Sequence, residues 1–261
     1  SYTGAQNIGI GNNAGLVITS GQVNVLIGTS AGEALNTGNS NILIGNRAGD
    51  GITTTSRNIG IGTNALGGGS NSADDNVSIG DNSLLVLSSG TRNLGIGTSA
   101  LGAITTANDS TAVGYNALLL DTGGSNIALG SKAGNNITTG SGNIVIGMDI
   151  DAPSATASGQ LSIGNLIFGT SLGETGTTIS DGNVGIATTT PGAKLAIDMQ
   201  SGAGIGFYLA GNSQSTADLF RISTSTASAT STAFLIDSMG KVGIGATTTP
   251  GSLLSVQGIA N

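Results

Sequence analysis

Asn24-Val25-Leu26-Ile27-Gly28, Asn41-Ile42-Leu43-Ile44-Gly45 and Asn58-Ile59-Gly60-Ile61-Gly62 are successive copies of one five-residue pattern, each set 17 residues from the next. The pattern closes on a glycine at Gly11, Gly28, Gly45, Gly62, Gly80, Gly97, Gly114, Gly130, Gly147 and Gly164, with spacings of 16 to 18 residues. Such a short fixed period marks a repeat architecture, in which one unit cannot bury its own apolar face and stacking does so. A unit of this size is too short for a helix pair or a propeller blade, which take about 34 residues or more. It suits one coil of a β-solenoid. The predicted fold is all-β: a parallel β-solenoid (β-roll) of about ten 17-residue coils over residues 1–168. Each coil is expected to hold two or three short strands, giving a rod about 48 Å long at the spacing of paired strands.

Positions are counted from the repeat glycine. Position −1 holds Ile10, Ile27, Ile44, Ile61, Ile79, Ile96, Val113, Leu129, Ile146 and Ile163, and position −3 is aliphatic in every copy but that of Thr111. Two residues apart in a strand share one face, so these columns are read as the core of the coil. Position −4 is Asn7, Asn24, Asn41, Asn58, Asn76, Asn93, Asn126 and Asn143, with Ser110 and Gln160 in the other two copies. Identical stacked Asn side chains form hydrogen-bonded ladders, and Asn tolerates tight corners. Position +3 is Ala in most coils, which lets two walls approach closely. Position −2, with Leu26, Leu43, Ala112, Ala128 and Val145, points opposite to the Ile pair and carries no charge. An uncharged row on the outside of a rod implies a self-association surface.

Composition narrows the function. Gly contributes 46 of 261 residues, charged residues only 8% and aromatics 3%, so the core consists of thin aliphatic layers. The net charge of −7, with seven scattered basic residues, argues against a nucleic-acid partner. No apolar run reaches the roughly 20 residues of a membrane span. There is no Cys and no His, which removes disulfides and the commonest catalytic bases and nucleophile pairs. Gly9-Ile10-Gly11-Asn12-Asn13-Ala14-Gly15 has the wrong glycine spacing for a dinucleotide loop and no helix after it. Asp74, Asp75, Asp149 and Asp151 could form a carboxylate pair or hold Ca²⁺, but read more simply as solvated loop acids. No catalytic residue, cofactor or metal is expected.

The register fades after Gly164, and residues 169–182 read as a transition. A different repeat follows. Asn183-Val184-Gly185-Ile186 leads through Thr188-Thr189-Thr190-Pro191-Gly192 to Lys194-Leu195-Ala196-Ile197. Lys241-Val242-Gly243-Ile244 leads through Thr247-Thr248-Thr249-Pro250-Gly251 to Leu254-Ser255-Val256. Each copy reads as strand, Thr-rich turn and strand. Residues 183–240 are a small β module, with further strands expected at Phe207–Leu209, Leu219–Ile222 and Phe234–Ile236. Residues 241–261 start a second, similar module or form a terminal strand, the pattern of a chain continued by further sequence or completed by a partner.

The unit Asn-x-x-Ile-Gly-x-x-Ala resembles the head repeat of trimeric autotransporter adhesins, and related units occur in bacterial surface proteins and phage tail fibres. The Val-Gly-Ile…Thr-Thr-Pro segment resembles one found near the ends of such fibres. The resemblance implies left-handed β-rolls, three chains side by side, and a fibre that carries adhesion. The adhesin unit is shorter than the one here. The expected function is a structural, adhesin-like fibre: a rod-shaped homotrimer on a cell surface or virion, outside the cell, whose partner is itself and whose receptor or glycan is unknown. The alternative is a monomeric solenoid with a flat face for ice or a glycan. Position +8 supplies a hydroxyl-rich column (Thr19, Asn36, Thr53, Ser70, Ser88, Thr105, Thr122, Thr138), but position +10 is mostly Gly and reads as a corner.

Overall fold

The computed structural model describes residues 5–68, 73–172, 181–198, 220–226, 229–236, 241–244 and 254–256. The chain divides into two units, Ser1–Gln200 and Ser201–Asn261. The strand expected at Phe207–Leu209, Leu219 and the Thr-Pro-Gly turn of the second module lie outside the described residues.

The first unit is a β-solenoid. Its strands β1 (Ile8–Ile10), β2 (Val25–Ile27), β3 (Ile42–Ile44), β4 (Ile59–Ile61), β5 (Val77–Ile79), β6 (Leu94–Ile96), β7 (Thr111–Val113), β8 (Ile127–Leu129), β9 (Ile144–Ile146) and β10 (Leu161–Ile163) are those of the repeat. Each pairs in parallel with the next in unbroken register, so ten strands span about nine turns. Each coil carries a single strand rather than two or three. Its remaining residues form turns whose N–H groups bond to the coils on either side, as Gly32 N–H does to Ala48 O and Arg47 N–H to Thr29 O, each at 2.9 Å. Stacking therefore satisfies the backbone without further strands.

Coil geometry explains the repeat glycine. Gly28 has φ +134°, and a Cβ there would lie 2.3 Å from Gly45 O in the next coil. Only glycine accepts both the conformation and the approach.

The inside of the coil is not the Ile face. Strand centres Leu26, Leu43, Ala112, Ala128 and Val145 are buried, as are Ala31, Ala48 and Ala117 at +3 and Ile52, Leu87 and Ile104 at +7. Position −4 has the same parity as −2, so the Asn column also points inward, and Asn41 is fully buried. Positions −1 and −3 then face outward. The core assigned to Ile10, Ile27, Ile44, Ile61, Ile79, Ile96, Val113, Leu129, Ile146 and Ile163 is thus corrected: all ten are exposed or half-buried in the chain. The self-association column assigned to Leu26, Leu43, Ala112, Ala128 and Val145 is corrected too, because those residues are the core itself. Alternation fixes which residues share a face, not which face turns inward.

After β10 the chain reverses. β11 (Ile167–Gly169) runs antiparallel to β10, β12 (Val184–Ile186) antiparallel to β11, and β13 (Leu195–Ile197) parallel to β12, completing a thirteen-stranded sheet. The second unit has β14 (Phe220–Thr226), β15 (Ala229–Ile236), β16 (Val242–Ile244) and β17 (Leu254–Val256). β16 and β17 pair in parallel as β12 and β13 do, so the repeated Val-Gly-Ile motif builds the same strand pair twice. Phe220 and Phe234 meet edge to face at 5.9 Å.

Candidate assembly face

Two side-chain columns stand on the outer face of the thirteen-stranded sheet. One contains Ile8, Val25, Ile42, Ile59, Val77, Leu94, Thr111, Ile127, Ile144 and Leu161, and passes through Gly169, Val184 and Leu195. The other contains the ten residues at −1 and continues through Ile167, Ile186 and Ile197. Only Thr111 and Gly169 interrupt their aliphatic character. The reversal at β11 preserves the register of both columns, so the second crosses into the next motif unbroken through Ile167, while the first is interrupted there at Gly169 alone. Exposure reaches 58% at Ile10 and Leu195, and most members between are half-buried.

Thirteen strands at about 4.8 Å make a strip about 58 Å long, and two columns about 7 Å apart give it a width near 10 Å. The resulting face of about 600 Å² lies at the upper end of what monomeric proteins leave in water.

Charge is kept off the strip. Position −5 holds Arg57, Asp75, Arg92 and Asp109 in four consecutive coils, all in the left-handed region with φ between 58° and 62°. Arg57 Nε donates to Asp75 Oδ1 at 2.6 Å and Arg92 Nε to Asp109 Oδ1 at 2.6 Å, while Arg57 Nη2 reaches Asp74 Oδ2 at 3.2 Å. The hydrogen bond from Arg57 lowers the Asp75 pKa, and that from Arg92 lowers the Asp109 pKa. All four side chains are exposed, so the ladder is weak and screened by salt.

The Asn column forms a ladder inside the coil. Asn58 Oδ1 accepts the Asn76 backbone N–H at 2.9 Å and Asn76 Nδ2 at 3.3 Å, and Asn41 Oδ1 serves Asn58 in the same way. Gln160 ends the series: its N–H and Nε2 both donate to Asn143 Oδ1, and its Oε1 accepts Ser154 N–H at 2.8 Å.

A second ladder, not read from the sequence, runs on the outside at −6. Asn39 Oδ1 accepts Gln22 N–H, Ser56 Oγ accepts Asn39 N–H, and Asp74 Oδ1 accepts Ser56 N–H, at 2.8 to 3.0 Å. Its signal in the sequence is a run of short polar residues at that position.

The other candidate sites do not gather into a reacting centre. Asp74 and Asp75 are both paired with Arg57, and Asp149 and Asp151 are exposed. Among the described residues no group of three potential metal ligands occurs. The hydroxyls at +8 turn along the stack: Ser88 Oγ donates to Thr105 O, Thr122 Oγ1 to Thr138 O and Thr138 Oγ1 to Ala155 O. Position +10 is interior, with Thr55 fully buried. Among the described residues no helix is long and apolar enough to cross a membrane. Comparison with protein-family models, curated proteins and solved structures finds no match to this chain.

Proposed function

We propose that this chain is a structural fibre protein that works as a rod-shaped homo-oligomer and projects or attaches something at a cell surface or virion. The observation that carries this reading is the outward stripe, an uncharged aliphatic face along the whole thirteen-stranded sheet. Three copies turning their stripes to a common axis would remove it from water, and the resemblance to adhesin heads favours three. In that arrangement the corrected face takes over the role first given to position −2. Activity then lies in geometry and multivalency: repetition raises the effective concentration of weak contacts without a deep pocket. No reacting site, cofactor or metal enters this reading.

Light scattering tests it. The native chain is expected at about three times its 25.1 kDa monomer mass at micromolar concentration. The double variant Ile44→Asp/Ile61→Asp should run as a folded monomer. A native monomer would overturn the proposal and leave the reading of a lone solenoid with a ligand-binding face.

A further inference from the structure

Three departures from the repeat coincide in the seventh coil. Ser110 replaces the ladder Asn, Asp121 replaces the aliphatic residue at +7, and the coil has 16 residues rather than 17. The structure brings them together. Asp121 is fully buried in the column where the adjacent coils place Ile104 and Ile137. Its Oδ2 accepts Ser110 Oγ–H at 2.9 Å. Its Oδ1 accepts Gly123 N–H at 2.9 Å, Gly124 N–H at 3.4 Å and Asn126 Nδ2 at 2.9 Å.

The carboxylate thus stands in for the missing rung. In the coils before it, the Nδ2 of Asn24, Asn41, Asn58, Asn76 and Asn93 bonds to the Asn Oδ1 of the preceding coil; Asn126 turns to Asp121 instead. The substitute is looser, since Asn126 N–H reaches Ser110 Oγ at 3.4 Å, whereas Asn93 and Asn143 make the equivalent bond at 2.9 Å. None of the residues that bond Asp121 or occupy its column in the adjacent coils is ionisable. Asp109, next to Ser110, is exposed and paired with Arg92 on the outer face.

We propose that Asp121, Ser110 and Asn126 make the seventh coil a proton-sensitive joint in the rod, tight when the carboxyl is neutral and loosened when it ionises. A neutral carboxyl keeps Oδ1 as acceptor for three N–H groups and can donate from Oδ2 to Ser110 Oγ. An ionised one keeps those donors but leaves a charge in the column of Ile104 and Ile137 with no cation to neutralise it. Burial raises the Asp121 pKa, and the bonds from Gly123, Ser110, Gly124 and Asn126, which lower it, offset that only in part. A carboxyl raised in the folded state makes its favourable contribution at low pH. That contribution is lost as pH climbs from the ordinary carboxylate range through the raised value. The inference concerns one chain and stands whether or not the rod is an oligomer.

Hydrogen exchange on the full chain tests it. Protection, corrected for intrinsic rates, is compared between residues 110–130 and residues 24–45 at about pH 4.5 and about pH 7.5. In the native chain the ratio of seventh-coil to second-coil protection should fall several-fold at the higher pH. In Asp121→Asn, which keeps the Oδ1 acceptor without charge, it should hold within about twofold. Ser110→Asn/Asp121→Ile, which restores the repeat residues, should be equally flat and serves if the single variant fails to fold. A native ratio that is unchanged or rises with pH overturns the proposal, and so does a folded variant that keeps the native fall.

Discussion

Leu43 and Gly49 face each other inside the third coil, where a Cβ on Gly49 would lie 2.7 Å from Leu43 Cδ1. One coil later the sizes are exchanged. Gly60 stands at the strand centre and Leu66 takes the place of Gly49, with Leu66 Cδ1 3.4 Å from where a Gly60 Cβ would be. The pairs Ser78 and Leu84, Gly95 and Leu101, and Ala112 and Leu118 repeat the second arrangement. From Gly15 to Gly134 position +4 has a left-handed backbone whether Gly or Leu occupies it: φ is 60° at Gly49 and 55° at Leu66. Leu pays on the order of 1–2 kcal/mol for that conformation. It is found where a small strand centre would otherwise leave a void.

Exchanging the pair should therefore be tolerated better than changing either partner. Gly49→Leu alone overpacks, which should cost about 1–3 kcal/mol in addition to that backbone cost. Leu43→Gly alone opens a cavity and should cost at least the roughly 2–5 kcal/mol of a buried Leu truncation. The double variant Leu43→Gly/Gly49→Leu should recover at least half of the summed loss. Additive losses in a denaturation cycle would show that the two positions do not share one space.

The inversion of faces gives a second prediction. Leu43→Asp places an unpaired carboxylate in the core and should lower stability by several kcal/mol or prevent folding. Ile44→Asp, one residue on, should leave the coil folded and disturb association alone. Circular dichroism for the fold and light scattering for the mass separate the outcomes. Comparable unfolding by both variants would reject the assignment of faces.

How much of this was legible in the sequence follows from the same residues. The period, the strand positions and the stacking of the Asn column could be read directly, because ten copies hold one register. Which face turned inward could not be read from hydropathy, since Leu43 and Ile44 are equally apolar. Parity held the answer: Asn41 and Leu43 are two apart, so an internal Asn ladder requires an internal strand centre and an external Ile pair. The single strand per coil was hidden because Ala48 and Ile52 are buried from turns, where no period-2 pattern announces them. Asp121 carries no signal of its own in the sequence, because the +7 column it interrupts lies in the turns, outside the strand pattern.

The ladders should differ sharply in energetic weight. Asn58→Ala leaves the Asn76 backbone N–H, within a fully buried residue, without its acceptor and should cost about 2–3 kcal/mol. Asn39→Ala removes an equally short bond at an exposed site, where water can replace the acceptor, and should cost well under about 1 kcal/mol. Urea midpoints for the two variants provide the check, and equal losses would show that the inner ladder has no special weight.

The ion ladder should show the opposite pH sign to Asp121. Asp75 and Asp109 have pKa values lowered by Arg57 and Arg92, so their contribution is present above the ordinary carboxylate range and lost as pH falls through the lowered values. Because these groups are exposed, Arg92→Gln should barely move the melting temperature at neutral pH, and about 1 M salt should remove any difference. A large salt-resistant loss would mean that the pair is shielded from water by another chain.

Removing a whole coil tests both the stacking unit and the pairing of sizes. Deleting residues 29–45 joins Gly28 to Asn46, which keeps the repeat register and leaves Leu26 at the strand centre with Gly49 at +4. Deleting residues 46–62 also keeps the register, but joins Gly45 to Thr63 and sets Leu43 against Leu66 in one coil. Period alone predicts that both shortened chains fold, each about 5 Å shorter along the rod. The core predicts a difference, because two Leu side chains would compete for the space that one occupies in every intact coil of that pair. The first deletion should melt near the native chain, and the second well below it. Adding Leu66→Gly to the second should restore most of the loss, although that change removes a buried Leu that stabilises the native coil. Such a rescue has no explanation in stacking alone. Equal stability of the two deletions, or a failure of Leu66→Gly to help, would reject the size pairing while leaving the 17-residue coil intact. A rod of unchanged length in either deletion would reject the coil itself.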